Sequence, residues 1–173
     1  EKPLWRPDAG EIERVGGAAA LRILEVGADS QRWTGRYWLY PLADAANAIG
    51  DLTMIDETRG LVIERDHGQG HPERACAEGG TGACFRRPAA FKRVYMIDMA
   101  GVAPGEPVRK VGYVDLMDIA DPDGLARRGG RPDGRFAFPF VTIESIVRID
   151  ATHVVLANDN NFPFSRGRRP DAP

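Results

Sequence analysis

Apolar residues in this chain fall in short runs rich in β-branched and aromatic side chains, and turn-forming residues separate one run from the next. That pattern predicts strands at 21–26, 35–41, 52–55, 60–65, 92–98, 108–115, 141–149 and 153–158. No stretch of ten residues or more carries a helical period, although 42–49 and 116–126 have room for a helical turn or two. The expected class is all-β. Compact polar turns, Asp56-Glu57-Thr58-Arg59 and Asp150-Ala151-Thr152, join paired runs into antiparallel hairpins.

Two of these hairpins match without a gap at a spacing of ninety-four residues. Ile55-Asp56-Glu57-Thr58-Arg59 lies over Ile149-Asp150-Ala151-Thr152-His153, and Leu61-Val62-Ile63 over Val155-Leu156-Ala157. Glu64-Arg65-Asp66 then lies over Asn158-Asp159-Asn160. A hairpin repeated with oxygen-bearing side chains at its end is a repeat-protein signal with a candidate site attached.

The loops differ while the hairpins match, so the repeating unit is the four-strand set 52–55, 60–65, 92–98 and 108–115, and a second unit begins at Ile143. Four antiparallel strands per repeat is the blade of a β-propeller. The chain then divides into the end of one blade (1–48), a full blade (49–117) with a long loop at 67–90, a connection (118–140) and the start of a further blade (141–173). Propellers close with at least four blades. The expectation is therefore a partial β-propeller, a fragment or one chain of a processed protein, with the remaining blades coming from the same precursor or another chain.

Hydrophobic content of 43% and charged content of 28% are ordinary for a globular protein. A formal net charge of -2 argues against a general nucleic-acid or anionic-membrane binder. No apolar run approaches the roughly 20 residues that span a bilayer, so no membrane span is expected. The start Glu1-Lys2-Pro3-Leu4 has neither an initiator Met nor a signal-peptide pattern, which reads as a mature, processed or truncated product. Cys76 and Cys84 share one Gly-rich loop, and their spacing suits a local disulfide and an oxidising compartment. Two free thiols, or a zinc set with His67 and His71, are the alternatives, the latter with a spacing unlike the usual structural fingers.

Further resemblance lies in particular strings. Ile49-Gly50-Asp51-Leu52, Leu61 through Asp66, Phe91 through Asp98, and Ile143-Glu144 with Asn158-Asp159-Asn160-Asn161-Phe162-Pro163 and Gly167-Arg168 resemble the phytase-like proteins described by "esterase-like activity of phytase". The resemblance covers roughly 35–171. It implies a secreted or periplasmic β-propeller whose acidic residues form a phosphoesterase site. Two departures stand out: Arg168-Arg169-Pro170-Asp171 is followed only by Ala172-Pro173, and the Cys-bearing loop is longer than the family needs.

Residues two apart on a strand point the same way, so Glu64 and Asp66 are expected to share a face, as are Asn158 and Asn160, with Asp159 opposite. Neighbouring blade ends would bring these oxygens together, and carboxylate and amide oxygens are what Ca²⁺ takes. The expected metal set is Glu64, Asp66, Asn158, Asp159 and Asn160. The expected catalytic set is Glu64, Asp66, Glu144 and Asp159, acting on a phosphorylated small molecule held by Arg65, Arg166 and Arg168. The plainer reading gives the Asn and Asp residues to Asx-turns and the Glu-Arg-Asp run to ion pairs. His67 is a further acid–base candidate. Ser165 lies in no nucleophile elbow, and Trp33, Trp38 and Tyr40 read as packing aromatics.

The leading function is calcium-dependent hydrolysis of a phosphate ester outside the cytoplasm. A non-catalytic propeller segment with structural calcium, binding a protein or glycan, is the rival. A lactonase-type propeller hydrolase is the third reading.

Overall fold

The computed structural model describes residues 1–80, 82–127, 130–159 and 161. Its strands are β1 (Trp5–Arg6), β2 (Glu11–Ile12), β3 (Arg14–Val15), β4 (Ala18–Gly27), β5 (Arg32–Pro41), β6 (Ala48–Met54) and β7 (Arg59–Arg65). They continue as β8 (Lys92–Asp98), β9 (Arg109–Asp115), β10 (Ile119–Ala120), β11 (Arg135–Phe136), β12 (Ile143–Arg148) and β13 (Val154–Asn158). A 3-10 turn at Pro72–Arg74 is the sole helical element among the described residues. The chain is all-β and its sheets are antiparallel, as the short apolar runs predict. The two expected helical turns do not form. Residues 42–47 turn around Asp44, whose side chain accepts from the Ala46 amide, and the second stretch contains β10.

Three sheets carry the fold: β3-β4-β5, the four-stranded β6-β7-β8-β9, and the β12-β13 hairpin. β7 is the hinge of the packing, because alternation sends successive side chains to opposite faces. Val62 enters a core with Ala19, Tyr40, Leu42, Ile97 and Val108, against the first sheet. Ile63 enters a second core with Val94, Leu116, Ile143 and Ile146, against β12. Both side chains are almost fully buried, so the four-stranded sheet is covered on its two faces. Covered faces explain why β7 reads as a continuous apolar run rather than an alternating one. Among the described residues the sheets stack without closing into a ring.

The repeat seen in the sequence holds at matched strand pairs. Ile49 pairs with Glu64 and Leu52 with Val62 in the first hairpin; Ile143 pairs with Asn158 and Ile146 with Leu156 in the second. Each has a register shift just after the matched pair, Ile49–Glu64 in one and Ile143–Asn158 in the other. Each turn is held by its Asp: Asp56 Oδ1 accepts from the amides of Thr58 and Arg59, and Asp150 Oδ1 from those of Thr152 and His153. These are Asx-turns, built from purely local chemistry.

β12 approaches β6 closely, and one glycine makes that possible. A Cβ on Gly50 would stand 2.0 Å from the Ile143 carbonyl oxygen. Beside it, Asp51 Oδ2 accepts from the Ile146 amide at 2.8 Å and pins the hairpin. On the other flank β5 runs beside the entry to β9, where the Leu39 amide donates to Glu106 O at 3.0 Å and the Val108 amide to Leu39 O at 2.9 Å.

Candidate functional site

The C-terminal end of β7 places Glu64, Arg65 and Asp66 in three different settings. Glu64 follows Val62 onto the first-sheet face and is fully buried. Its Oε1 accepts from the Ala43 amide at 2.7 Å and Asn47 Nδ2 at 2.8 Å. Its Oε2 accepts from the Tyr40 hydroxyl at 2.8 Å and Lys110 Nζ at 2.7 Å. Burial, reinforced by the Glu64 charge, pushes the Tyr40 hydroxyl well above its ordinary pKa. Burial holds Lys110 below the usual lysine range even though Glu64 opposes the shift.

Arg65 follows Ile63 onto the opposite face, where Nη2 donates to Glu144 Oε1 at 2.9 Å. That pair joins β7 to β12 across seventy-nine positions. The Arg65 side chain is 8% exposed and that of Glu144 35%, so the carboxylate is open to solvent while its cation is not. Arg65 Nε is buried and has no hydrogen-bond partner.

Asp66 lies past the end of β7, so the two-residue alternation that would have aligned it with Glu64 no longer applies. It closes the base of the Cys-bearing loop instead. Oδ2 accepts from the amides of Ala90 at 2.8 Å and Phe91 at 3.2 Å, and Oδ1 accepts from the Gly68 amide at 3.1 Å. Lys92 Nζ stands 2.6 Å from Oδ1 and also donates to the carbonyls of Asp66 and Gly68. Burial would raise the Asp66 pKa, but Lys92 and the donating amides outweigh it and leave the group below its ordinary value.

The expected calcium ligands Glu64 and Asp66 therefore do not converge. A hard cation needs free carboxylate oxygens, and here buried ammonium groups already neutralise both side chains. Glu64 and Asp66 do not fit a calcium ion. Among the described residues no three His, Cys, Asp or Glu side chains form a set able to hold a metal.

Asn158 is the last residue of β13, opposite Ile143, and Asp159 follows it into a turn. The Asp159 amide donates to Thr142 O at 2.9 Å, the Thr142 hydroxyl donates to Asp159 O, and Asp159 Oδ1 accepts from the Asn161 amide at 2.9 Å. Thr142 and Ile143 lead directly into Glu144, so the Asn158–Asp159 end and the Arg65–Glu144 pair share one end of the stack. Asn160, Ser165, Arg166 and Arg168 lie outside the described residues.

Cys76 and Cys84 are bonded, with Cα atoms 4.9 Å apart, which consumes both sulfurs of the zinc alternative. His71 caps the 3-10 turn by accepting from the Glu73 amide. Tyr40 and Trp38 pack as expected, but Trp33 is 58% exposed at the far end of β4–β5, where no sheet covers it. Lys92 and Lys110 carry the electrostatics of this end and were absent from the expected site. The signal available for them was a lysine inside, or opening, an otherwise β-forming run.

Two clefts flank the four-stranded sheet. One of about 800 Å³ lies between β4 and β6, lined among others by Lys2, Arg22, Trp33, Ile49 and Asp51. The other, about 370 Å³, is lined by Leu61, Val94, Met96 and Val114 together with Val154 and Leu156 of β13.

An all-β protein of stacked antiparallel sheets, carrying an Arg–Glu pair where two repeats meet, is the class defined here. The family model Phytase-like, "Esterase-like activity of phytase", matches residues 1–162. The chain belongs to that family. No curated protein and no solved structure matches it.

Proposed function

We propose that the chain is part of a phytase-like hydrolase that cleaves a phosphate ester at the Arg65–Glu144 end of the sheet stack. The single observation that carries the reading is this pair, in which a buried guanidinium bonds a half-exposed carboxylate contributed by the neighbouring repeat. A guanidinium donates to phosphate oxygens in a fixed fork, and a carboxylate it holds can accept a proton from water attacking phosphorus. Glu144 is then the general base and Arg65 the buried cation that holds it in place. Asp159 is assigned to the same end, and Arg166 and Arg168 to phosphate contacts on the chemistry of their side chains alone, with Glu64 and Asp66 as supports that fix β7 and its loop rather than as reacting groups. Calcium, if the reaction uses it, falls to Asn158, Asp159 and Asn160. No step is derived through it.

The β-propeller remains the architecture proposed. Its support is the four-stranded unit repeated as far as β13 and the apolar cleft beside it, where exposed Val154 and Val155 invite further strands. Those strands belong to the remaining blades. The Cys76–Cys84 bond supports a periplasmic or extracellular location. No helix of the described residues is long and apolar enough to cross a membrane.

The test is phosphate release from a panel of phosphomonoesters by the wild-type chain and Glu144→Gln. Release by the wild type and its loss in the variant, measured at a temperature at which both proteins are folded, supports the reading. Release unaffected by the variant removes Glu144 from the mechanism, and release from none of the esters removes the hydrolase.

A further inference from the structure

The pair β4–β5 matches β8–β9 in register, as β12–β13 matches β6–β7. Ala20 pairs with Pro41, Leu21 with Tyr40, Arg22 with Leu39 and Ile23 with Trp38. Step for step, Arg93 pairs with Asp115, Val94 with Val114, Tyr95 with Tyr113 and Met96 with Gly112, and a register shift follows in each pair of strands. Both end in the same bond: the Leu42 amide donates to Ala19 O and the Leu116 amide to Lys92 O, each at 2.8 Å. The described residues therefore hold the last two strands of one unit, a whole unit, and the first two strands of another.

The two half-units are complementary at their open edges. Among the described residues β13 has no neighbour of the β8 kind, and β4 has none of the β7 kind, since β3 pairs only with Ala18 and Ala19. Side chains that the whole unit buries are bare in the halves. Ile97 is fully buried, but its counterpart Leu24 is 56% exposed. Leu61 packs into the second core, but its counterpart Val155 is 51% exposed. Each open edge also adjoins a cleft: that of about 370 Å³ runs along Val154 and Leu156 of β13, and that of about 800 Å³ separates Leu21 and Ile23 of β4 from Ile49 and Leu52 of β6.

From these matched halves we infer that a second copy of this chain docks head to tail, its β4–β5 completing the unit that β12–β13 begins. The β7–β8 pairs Leu61–Met96, Val62–Tyr95 and Ile63–Val94 transfer through the two matches and set the register. Val155 then lies opposite Ile23, Leu156 opposite Arg22, and Ala157 opposite Leu21 of the second copy. Leu24 of the second copy enters the 370 Å³ cleft as Ile97 enters its own core, and Val155 enters the second copy's 800 Å³ cleft as Leu61 packs against Ile143 and Ile146. Backbone bonds along two open edges orient the contact, and the apolar clefts supply its free energy. Each copy brings the strands of two units, so a contact of this head-to-tail kind closes a ring of roughly four to eight blades with about two to four copies. The inference rests on the propeller reading and not on phosphate hydrolysis.

Sedimentation velocity and native mass spectrometry of the wild-type chain across a concentration series test this. Complexes of two or more copies are expected. Val155→Lys on β13 and Leu24→Lys on β4, both at exposed positions, should each weaken association at least about tenfold, because docking would bury the new charge in an apolar cleft. An equimolar mixture of the two variants should recover a two-copy complex, since one retains an intact β4 edge and the other an intact β13 edge. Association untouched by both substitutions overturns the inference, and so does a mixture that stays apart, which marks a like-to-like contact. A wild-type monomer at every concentration overturns the second copy and leaves the propeller to be completed by other strands. Open chains that lengthen with concentration keep the second copy and remove the closed propeller.

Discussion

Replacing Glu64 by Gln separates a buried structural carboxylate from a metal ligand. Glu64 is fully buried and accepts from Ala43, Asn47, Tyr40 and Lys110. A Gln carbonyl can keep the Ala43 and Asn47 donors, but its amide then faces the Tyr40 hydroxyl and the Lys110 ammonium. The hydroxyl can rotate and accept. The ammonium cannot, and it loses its counter-charge. Removing one partner of a buried pair costs about 3–5 kcal/mol. The Lys110 side chain keeps 19% exposure, so about 3 kcal/mol is the appropriate figure. For a chain of this size that corresponds to a fall in Tm of about 6–12 °C. Differential scanning calorimetry of the wild type, Glu64→Gln and Glu64→Gln/Lys110→Met measures it. The double variant should recover at least about 1 kcal/mol, because it removes the stranded charge. The loss should be the same with and without a chelator. A Glu64→Gln protein that melts with the wild type, or one destabilised only when calcium is present, refutes the reasoning.

Gly50→Ala drives a methyl group to 2.0 Å from the Ile143 carbonyl oxygen and should cost at least about 2–3 kcal/mol, with limited proteolysis opening the 137–142 segment as β12 separates from β6. Wild-type resistance to protease in that variant would contradict the packing. Acid pH acts on Asp66, whose folded pKa is depressed. Its contribution is complete above the unfolded value of about 4 and is lost as pH falls through the lower folded value. Asp56, held to about 2 by the Thr58 and Arg59 amides, acts in the same direction. Urea midpoints measured from pH 6 to pH 2 should therefore fall below pH 4, and less steeply in Asp66→Asn; equal slopes would contradict it. At alkaline pH the slope keeps the same sign for Lys92, whose folded pKa burial also depresses: the penalty of its buried charge is relieved, and stability rises, as pH rises from its folded value toward 10.5.

The hairpin repeat was legible in the sequence because its chemistry is local: Asp56 and Asp150 fold their own turns, and neighbouring β-branched residues pair across them. The sides on which Glu64 and Asp66 fall were not legible. That depends on β7 stopping at Arg65, which is settled by the Ala90 and Phe91 amides arriving from the far end of the loop. Lys110 was invisible for a similar reason, since its partner stands forty-six positions away. The Asx reading of the Asn158 run and the ligand reading share the same residue types, and an Asn161 amide on Asp159 Oδ1 is compatible with either. Strands of two residues such as β1, β2 and β3 leave no periodicity to read. Trp33 misled because aromatic content in a strand signals a packed surface only when another sheet covers it.

The most direct test of the central claim is the rate of phosphate release from phosphomonoesters by the purified chain against that by Glu144→Gln. The account predicts measurable release and a fall of at least about 100-fold in the variant, the scale on which general-base catalysis acts, measured where circular dichroism shows both proteins folded. Equal rates in the two proteins, or no release from any ester by the wild type, would contradict it.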